Sequence, residues 1–452
     1  MFFDRPEANT DALLVHIVFQ SVEGERIEEF RELARSAGLS PVTCIKGKRT
    51  KPDPKTFVGS GKLEEIKRAV ESSGARLILF DHELSPTQER NLEKELSCRI
   101  MTRTGLILEI FAQRARTYEG KLQVELAQLK HLSTRLVRGW THLDRQRGGA
   151  GRGQGAAIGL AGAGETQLEA DQRMLGQRIK TINKRLGKVR KQRHQSRRAR
   201  SRAEIKTVSL VGYTNAGKST LFNKLCHSEV DVEDKLFATL DPTLRKLAIP
   251  LVGNVILADT VGFIRHLPHS LIDAFRATLE EVKTSSLLLH LVDAATEEKE
   301  ANQDQVNEVL KEIGAHKVRQ LCVYNKIDLL GATPRVDRDA GGVPWRVWIS
   351  AEKETGLELL VECIKEIFSA NMVDTVVTLQ PSQGQLRADL YAAGAVVGER
   401  VNGDGLLELM VKLEESKLHT ILKKRGTVLK GDGPDSVLGQ NVTEAIRTQF
   451  PG

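Results

Sequence analysis

The stretch that decides the fold is Thr207-Val-Ser-Leu-Val-Gly212-Tyr-Thr-Asn215-Ala-Gly217-Lys218-Ser219-Thr220, followed at once by Leu221-Phe-Asn-Lys-Leu225. An apolar strand therefore passes through the pattern G-x4-G-K-S into a helix, which is the setting of a phosphate-binding loop. Glycines let backbone N–H groups approach a phosphate closely, and the helix N-terminus adds a partial positive charge. The stretch predicts an α/β domain built around a P-loop.

Two side chains of this loop have defined roles toward a nucleotide. Lys218 can bridge the β- and γ-phosphates, and the Ser219 hydroxyl can ligate Mg²⁺. A nucleotide with its Mg²⁺ is therefore the ligand that the loop predicts. The residues predicted to contact it here are Gly212, Tyr213, Thr214, Asn215, Ala216, Gly217, Lys218, Ser219 and Thr220.

A second motif, Asp259-Thr260-Val261-Gly262, follows the apolar run Val255-Ile-Leu-Ala258. A carboxylate at the end of this strand can hold the Mg²⁺ shell, and the Gly262 N–H can meet the γ-phosphate. Gly262 is thus predicted to act beside Lys218 in catalysis, and Asp259 beside Ser219 at the metal.

Two further loops predict selectivity for guanine. Asn325-Lys326-Ile-Asp328 ends the apolar run Leu321–Tyr324, and the Asp328 carboxylate can accept two hydrogen bonds from guanine N1–H and the 2-amino group. Adenine has no such donor pair, so it would leave the carboxylate unpaired. Ser350-Ala351 fits the loop whose backbone N–H reaches guanine O6. Four motifs in the expected order within about 140 residues predict a domain that binds GTP and GDP.

The charge of the chain is unevenly distributed. The formal net charge is +8, but residues 112–206 hold 23 Lys and Arg against 7 Asp and Glu. Residues 173–206 alone hold 14 basic residues and a single acid, Glu204. A solvated helical face is the ordinary explanation of a charged helix, yet so one-sided a set favours contact with a polyanion such as RNA.

The same basic segment has the pattern of a helical hairpin. Leucines recur in the first stretch, and the second places apolar residues at alternating steps of four and three, which is a coiled-coil seam. Between them, residues 148–164 contain eight glycines. Such a tip is either a flexible linker or a segment that moulds to RNA or a nucleotide, and the sequence leaves both open. The seam residues are Leu122, Leu126, Leu129, Leu136, Leu175, Ile179, Ile182, Leu186 and Val189.

Strand and helix patterns on both sides complete a predicted organisation of four domains. The N-terminal part alternates short apolar runs with helical patterns, and Gly59-Ser-Gly-Lys62 within it predicts a helix N-terminus rather than a second P-loop. The C-terminal part has a βαββα order with a hairpin turn at Asn402–Gly405. The predicted boundaries are 1–115 for an N-terminal α/β domain, 116–204 for the basic hairpin, 205–371 for the GTPase domain and 372–452 for a ferredoxin-like α+β domain.

Other classes of protein are disfavoured. No apolar run approaches the roughly 18 residues of a membrane span, although peripheral association with a membrane stays open. Five scattered cysteines without a C-x-x-C pair favour a reducing compartment over a disulfide framework. We expect a cytoplasmic protein, and we expect a monomer.

Several longer motifs resemble the HflX family of ribosome-associated, ribosome-splitting GTPases. The motifs are Val58–Lys62, Gly164–Glu169, Phe237–Thr243 and Asp259–Pro268. The resemblance implies that the N-terminal domain and the hairpin bind the large ribosomal subunit and its RNA near the peptidyl-transferase region. It also implies GTP-dependent splitting of stalled ribosomes under stress, and a switch residue, Thr239, that closes on Mg²⁺ and the γ-phosphate.

The position after Gly262 bears on the rate of hydrolysis. Many small GTPases have a glutamine there that orients the attacking water, but this chain has Phe263. We therefore expect slow intrinsic hydrolysis and activation by a partner, the ribosome. Asn215 is a candidate for holding a K⁺ beside the phosphates, as in related GTPases with a Gly-x-x-Asn loop, and a local capping role is its alternative.

Two other functions stay open at this point. One is a GTPase of ribosome assembly that binds precursor particles. The other is an RNA-binding or chaperone protein in which the GTPase domain is a regulatory clamp. An ATP-dependent activity of the N-terminal domain also stays open.

Overall fold

The structure is a computed structural model, and it divides the chain into two compact units, Met1–Cys363 and Ile364–Gly452. The residues that it describes are 10–19, 27–147, 167–202, 205–226, 236–237, 239–240, 243–250, 252–265, 276–369, 372–403 and 405–424. The glycine-rich segment 148–164 lies outside them, as do the first three residues of the motif Gly164–Glu169.

The first part of the chain forms a four-stranded parallel sheet in the order β2-β1-β3-β4. Apolar side chains cover both faces of this sheet and pack against the helices. The predicted α/β pattern is confirmed, and Gly59 is the N-cap of a helix, as expected. The elements are β1 (Asp11–Phe19), α1 (Ile27–Ser36), β2 (Ser40–Arg49), α2 (Ser60–Ser73), β3 (Leu77–Phe80), α3 (Pro86–Leu96), β4 (Arg99–Thr102) and α4 (Arg103–Arg114). We call residues 10–114 the N-terminal region.

Two long helices, α5 (Tyr118–Arg147) and α6 (Gln167–Arg202), form the hairpin. Their contact is the predicted apolar seam, which excludes water along one face of each helix. Val189 lies only half-buried beyond it, and the side chain of Leu136 lies outside the described residues. The seam consists of Leu122, Leu126, Leu129, Leu132, Leu175, Ile179, Ile182 and Leu186.

The P-loop region, residues 205–363, is built on a seven-stranded sheet in the order β10-β11-β9-β8-β5-β7-β6, and its last helix continues to Ser369. Strands β11, β9, β8, β5 and β7 are parallel, whereas β6 and β10 are antiparallel to their neighbours at the two edges. The elements are β5 (Thr207–Gly212), α7 (Lys218–Cys226), β6 (Thr243–Ile249), β7 (Gly253–Asp259), α8 (Arg276–Lys283), β8 (Leu287–Asp293), α9 (Lys299–Glu312), β9 (Gln320–Asn325), β10 (Arg335–Arg338), β11 (Pro344–Trp348) and α10 (Leu357–Ser369).

The last described part forms an antiparallel sheet in the order β12-β14-β13 with two helices on one face. This is the βαββα order that the sequence predicts, with the turn at Asn402 joining β13 to β14. The elements are β12 (Met372–Leu379), α11 (Gly384–Ala392), β13 (Val396–Val401), β14 (Leu407–Glu414) and α12 (Glu415–Lys424). Among the described residues, no helix combines the length and the apolar character needed to cross a membrane.

The seam of the hairpin yields a stability prediction. Ile182 is fully buried in it, so Ile182→Ala removes methyl groups and leaves a cavity. We expect the free energy of local opening of α6 to fall by about 2–4 kcal/mol. Hydrogen exchange of the α6 amides measures this change. Met174→Ala on the same helix is the matched control, because Met174 is 49% exposed and its truncation should leave exchange nearly unchanged.

Candidate nucleotide-binding site

A cavity of about 480 Å³ lies at the carboxyl ends of the parallel strands of the P-loop region. Both the P-loop and the loop after β9 open into it, because strands that run in the same direction end at the same edge of a sheet. The cavity is lined by Thr214, Asn215, Gly217, Lys218, Ser219, Thr220, Phe237, Thr239, Thr260, Gly262, Asn325, Lys326, Asp328, Leu329, Ala351 and Glu352.

Two glycines are required by the tight packing of the loops. Gly217 has φ of +89°, and a Cβ there would lie 2.2 Å from Nδ2 of Asn325. At Gly262 a Cβ would lie 2.9 Å from Cγ2 of Thr214 and 3.0 Å from Nζ of Lys218. Any larger residue would push the loops apart, so the backbone can approach a phosphate only with glycine at both positions.

Lys218 is buried at the centre of the loop, with an exposure of 6%. Its Nζ donates hydrogen bonds to the carbonyl oxygens of Tyr213 at 2.7 Å and of Gly212 at 3.2 Å. Burial lowers the pKa of Lys218 to about 8, because desolvation disfavours the ammonium more than the Asp259 carboxylate favours it. Nζ is held against the loop backbone, where the negative charge of a phosphate would raise the pKa of Lys218 again.

Three oxygen-bearing side chains converge beside the loop. Oδ2 of Asp259 lies 2.9 Å from Oγ of Ser219 and 2.8 Å from Oγ1 of Thr239, and the two hydroxyl oxygens are 2.7 Å apart. Burial raises the pKa of Asp259, although both hydroxyls and Lys218 oppose this shift. Oδ1 of Asp259 is buried and has no hydrogen-bond partner among the described residues. This set of hard oxygen atoms, with one left unsatisfied, fits Mg²⁺.

The opposite end of the cavity is held together by Asn325. Its Nδ2 donates to the carbonyl of Ala216 at 2.9 Å, and its Oδ1 accepts from the N–H of Ala351 at 2.9 Å. Oγ of Ser350 donates to Oδ1 of Asp328 at 2.6 Å, which fixes the carboxylate in the loop. The P-loop and the two loops predicted to contact the base are thus one hydrogen-bonded unit.

The cavity differs in part from the residue set that the sequence predicts. Six of the predicted residues are not among those that line the cavity. These six are Gly212, Tyr213, Ala216, Asp259, Val261 and Ser350. Three residues that line the cavity were not predicted from the sequence. Two of them directly follow predicted loops, so their positions next to the motifs could have indicated them. They are Leu329, Glu352 and Phe237.

Phe237 connects the cavity to the N-terminal region. Its ring is buried against Phe111 of α4 in an edge-to-face contact with ring centroids 4.7 Å apart. Its φ of 58° is unusual for a bulky residue, and the buried ring offsets the strain. The N–H of the preceding residue, Leu236, donates to Oγ of Ser36 in α1 at 3.0 Å. The segment that carries Thr239 is therefore attached to the N-terminal region.

Phe263 lies away from the cavity. Its ring is buried with Val211, Leu279 and Val282 in a core of the P-loop region. Only its backbone meets the loop, where its carbonyl accepts from the N–H of Thr214 at 2.7 Å and its N–H donates to the carbonyl of Gly212 at 3.1 Å. The side chain therefore neither approaches nor orients a water at the cavity.

The structure is that of a GTP-binding protein of the P-loop GTPase class. Its sheet, its P-loop and the two loops predicted to contact guanine together define this class. Matches to protein families agree over three successive stretches: "GTP-binding GTPase N-terminal" at 24–112, "GTP-binding GTPase Middle Region" at 114–200 and "50S ribosome-binding GTPase" at 207–326. The chain belongs to the GTPase HflX family, as the sequence motifs had indicated, and it is a GTPase.

The relatives cover most of the chain. The chain is 53% identical over 413 residues to "GTPase HflX" of Escherichia coli (strain K12), which spans 91% of this chain and 95% of that protein. It is 44% identical over 393 residues to "GTPase HflX" of Magnetococcus marinus, spanning 87% and 89%. A GTP-binding protein from Sulfolobus solfataricus, solved in complex with GDP, is 25% identical and covers 80% of this chain and 99% of its own, with a TM-score of 0.42.

The close contact at Gly217 yields a prediction for nucleotide binding. Gly217→Ala places a methyl group against Nδ2 of Asn325 and forces alanine into a left-handed backbone conformation. We expect GDP affinity to fall by about 10- to 100-fold, which corresponds to strain of roughly 1–3 kcal/mol. Titration with fluorescent GDP measures it. Gly61→Ala is the control, since a Cβ at Gly61 meets no atom within 4 Å, and unchanged affinity in both variants would refute the argument.

Proposed function

We propose that the cavity holds GTP with the guanine at the Asp328 end and the phosphates at the P-loop. Backbone N–H groups of residues 213–220 surround the phosphates, while the Asp328 carboxylate pairs with guanine N1–H and the 2-amino group. The hydrogen bond from Ser350 supports this orientation of the carboxylate, because it fixes one of its two oxygens. Adenine nucleotides are rejected, since they would leave the Asp328 carboxylate unpaired.

We further propose that Ser219, Thr239 and Asp259 hold Mg²⁺. The convergence of their oxygens and the unpaired Oδ1 of Asp259 support this assignment. When bound, Mg²⁺ would neutralise charge on the β- and γ-phosphate oxygens. Thr239 then has a double role, because it belongs both to the metal site and to the segment that is attached to the N-terminal region through Phe237.

In hydrolysis, Lys218 and Gly262 act on the transferred phosphoryl group. The Lys218 ammonium stabilises the charge that develops between the β- and γ-phosphates, and the Gly262 N–H holds a γ-phosphate oxygen. The residue after Gly262 is Phe263 rather than glutamine, and its ring is buried in the core. No side chain at that position therefore orients the attacking water. We infer slow intrinsic hydrolysis that a bound partner accelerates by completing the site.

We propose that this partner is the large ribosomal subunit, and that GTP binding drives the splitting of stalled ribosomes in the cytoplasm. The observation that carries the proposal is the exposed basic surface of α6. Two of its arginines are used within the hairpin, Arg178 toward Glu125 and Arg193 toward Glu119. The basic residues between these two arginines are exposed to solvent, among them Lys184, Arg185, Lys188, Arg190 and Lys191. The family description "50S ribosome-binding GTPase" is consistent with this partner.

The position of α6 supports a link between RNA contact and nucleotide state. The helix ends at Arg202, and β5, which leads into the P-loop, begins at Thr207. Contact of α6 with ribosomal RNA would therefore act on a helix joined almost directly to the strand that carries the phosphate-binding loop.

The ribosome proposal predicts the effect of removing exposed positive charge from α6. In a chain with Lys184, Lys188 and Lys191 all replaced by alanine, we expect large subunits to stimulate GTP turnover much less, with a weaker dependence on salt. GTP turnover with and without purified large subunits, at several salt concentrations, measures this. The matched control replaces Lys311, Lys317 and Arg319, which are exposed in the P-loop region.

Two results would contradict the proposal in different ways. If large subunits fail to stimulate the unsubstituted chain, the ribosome is not its activator, although the GTP site would stand. If stimulation occurs but complete ribosomes are not split in the presence of GTP, a role in assembly of the large subunit becomes the better explanation.

We also propose that Asn215 holds a K⁺ beside the phosphates. Asn215 lines the cavity and is exposed, so its side chain is open to an ion from solvent. We expect hydrolysis to be several-fold faster in K⁺ than in Na⁺ at equal ionic strength, and Asn215→Ala to remove this difference. Equal rates for the unsubstituted chain in the two salts would refute the K⁺ assignment.

A further inference from the structure

A chain of buried polar contacts joins the N-terminal region to the loop after β7. The Tyr213 hydroxyl donates a hydrogen bond to Oε2 of Glu29 in α1 at 2.5 Å and accepts one from the N–H of Arg265 at 3.1 Å. Arg103, the first residue of α4, pairs with the same Glu29 through its Nη2. That Nη2 also donates to the carbonyl of Arg265 at 3.4 Å. We call these four residues, Glu29, Arg103, Tyr213 and Arg265, the coupling chain.

The coupling chain is largely buried, and its one ion pair, between Arg103 and Glu29, joins opposite charges. The side chains of Arg103 and Glu29 are 9% and 11% exposed, and Arg103 also pairs with Asp81 at 2.7 Å. Although burial opposes its charge, the two carboxylates raise the pKa of Arg103. Burial and the neighbouring Glu29 raise the pKa of Tyr213, so the phenol keeps the proton that it donates. Nε of Arg103 has no hydrogen-bond partner among the described residues, but the other contacts hold the network in place, because breaking any of them would leave a further buried polar group without its partner.

Three groups of Arg265 make polar contacts: the main-chain N–H, the main-chain carbonyl and the side chain. Its N–H and carbonyl belong to the coupling chain, and its guanidinium pairs with Glu298 at 3.2 Å. The preceding residues are attached to the P-loop through the two backbone hydrogen bonds between Phe263 and the residues Gly212 and Thr214. Gly262 directly precedes Phe263, and a Cβ at this position would lie 3.0 Å from Nζ of Lys218. The placement of Gly262 therefore depends on the attachment of Phe263 to the P-loop and, three residues further along the chain, on the attachment of Arg265 to the coupling chain.

We propose that Glu29 and Arg103 are positioning residues for GTP hydrolysis, holding Gly262 at the γ-phosphate through the Tyr213 hydroxyl and the Arg265 backbone. The proposal rests on the nucleotide site proposed above and assigns to the N-terminal region a role in the chemistry of that site. It is independent of the ribosome, since all of its residues belong to one chain.

The test compares single-turnover GTP hydrolysis with GDP affinity in the full-length chain. In Glu29→Gln the Tyr213 contact loses its charge and Arg103 loses a partner, so we expect the hydrolysis rate to fall by about five- to tenfold. GDP affinity should change by less than about twofold, because Glu29 makes no contact with the P-loop backbone that surrounds the phosphates. Glu28→Gln is the matched control. Glu28 is its neighbour on α1, pairs only within that helix among the described contacts, and should leave both quantities unchanged.

A second variant tests whether the residues act as one unit. Tyr213→Phe removes the shared hydroxyl, and we expect it to slow hydrolysis to a similar extent. The double variant Glu29→Gln with Tyr213→Phe should be no slower than the slower single variant. If circular dichroism shows that Glu29→Gln does not fold, the conservative Tyr213→Phe still decides the outcome through its rate.

The proposal is overturned if both single variants hydrolyse GTP at the unsubstituted rate while only their thermal stability falls, since the contacts would then be structural. Multiplicative rates in the double variant, or a faster rate in either single variant, would overturn it as well. Failure of the unsubstituted chain to bind GDP would overturn the nucleotide site itself and this proposal with it.

Discussion

The site depends on one constraint of a parallel sheet, namely that strands running in the same direction end at the same edge. Strands β5, β7 and β9 therefore deliver the P-loop, the Asp259 carboxylate and the Asn325 loop to one place. Short loops suffice to complete the cavity, and a single side chain, Asn325, then joins two of them through its amide. Because the strands themselves are buried and rigid, the polar groups at their ends need little further ordering before they meet a nucleotide.

The sequence predicts those parts of the site that have a local residue pattern. It does not predict contacts between residues that are far apart in the chain. The P-loop, the Asp259 motif and the helix Pro86–Leu96 have patterns of their own, and the last has its proline and serine cap in place. Strand β2 was not predicted, because an edge strand with Pro41 and only one buried position gives almost no apolar signal. The place of Phe237 was equally hidden, since it is set by Phe111 far away in the chain.

Charges act differently in the interior and on the surface of this protein. In the interior, Arg103 lies between two carboxylates, and Lys218 donates to two backbone carbonyls near Asp259. Such contacts fix geometry more than they add stability. On α6 the exposed lysines lie in water, where they cost little and attract polyanions over a distance set by salt. The buried charges thus fix the geometry of the site, whereas the exposed charges of α6 attract polyanions.

The contact between Phe111 and Phe237 has a consequence for recombining parts of such proteins. The two rings pack edge to face, and Phe237 has a left-handed backbone conformation in this contact. In a hybrid that takes its N-terminal region from one relative and its P-loop region from another, the residues at positions 111 and 237 must therefore fit each other. A smaller partner at either position would free the segment that carries Thr239, so a well-folded hybrid can still be a poor enzyme. The fit of the two rings in this contact, rather than the similarity of the P-loops, should decide which hybrids hydrolyse GTP.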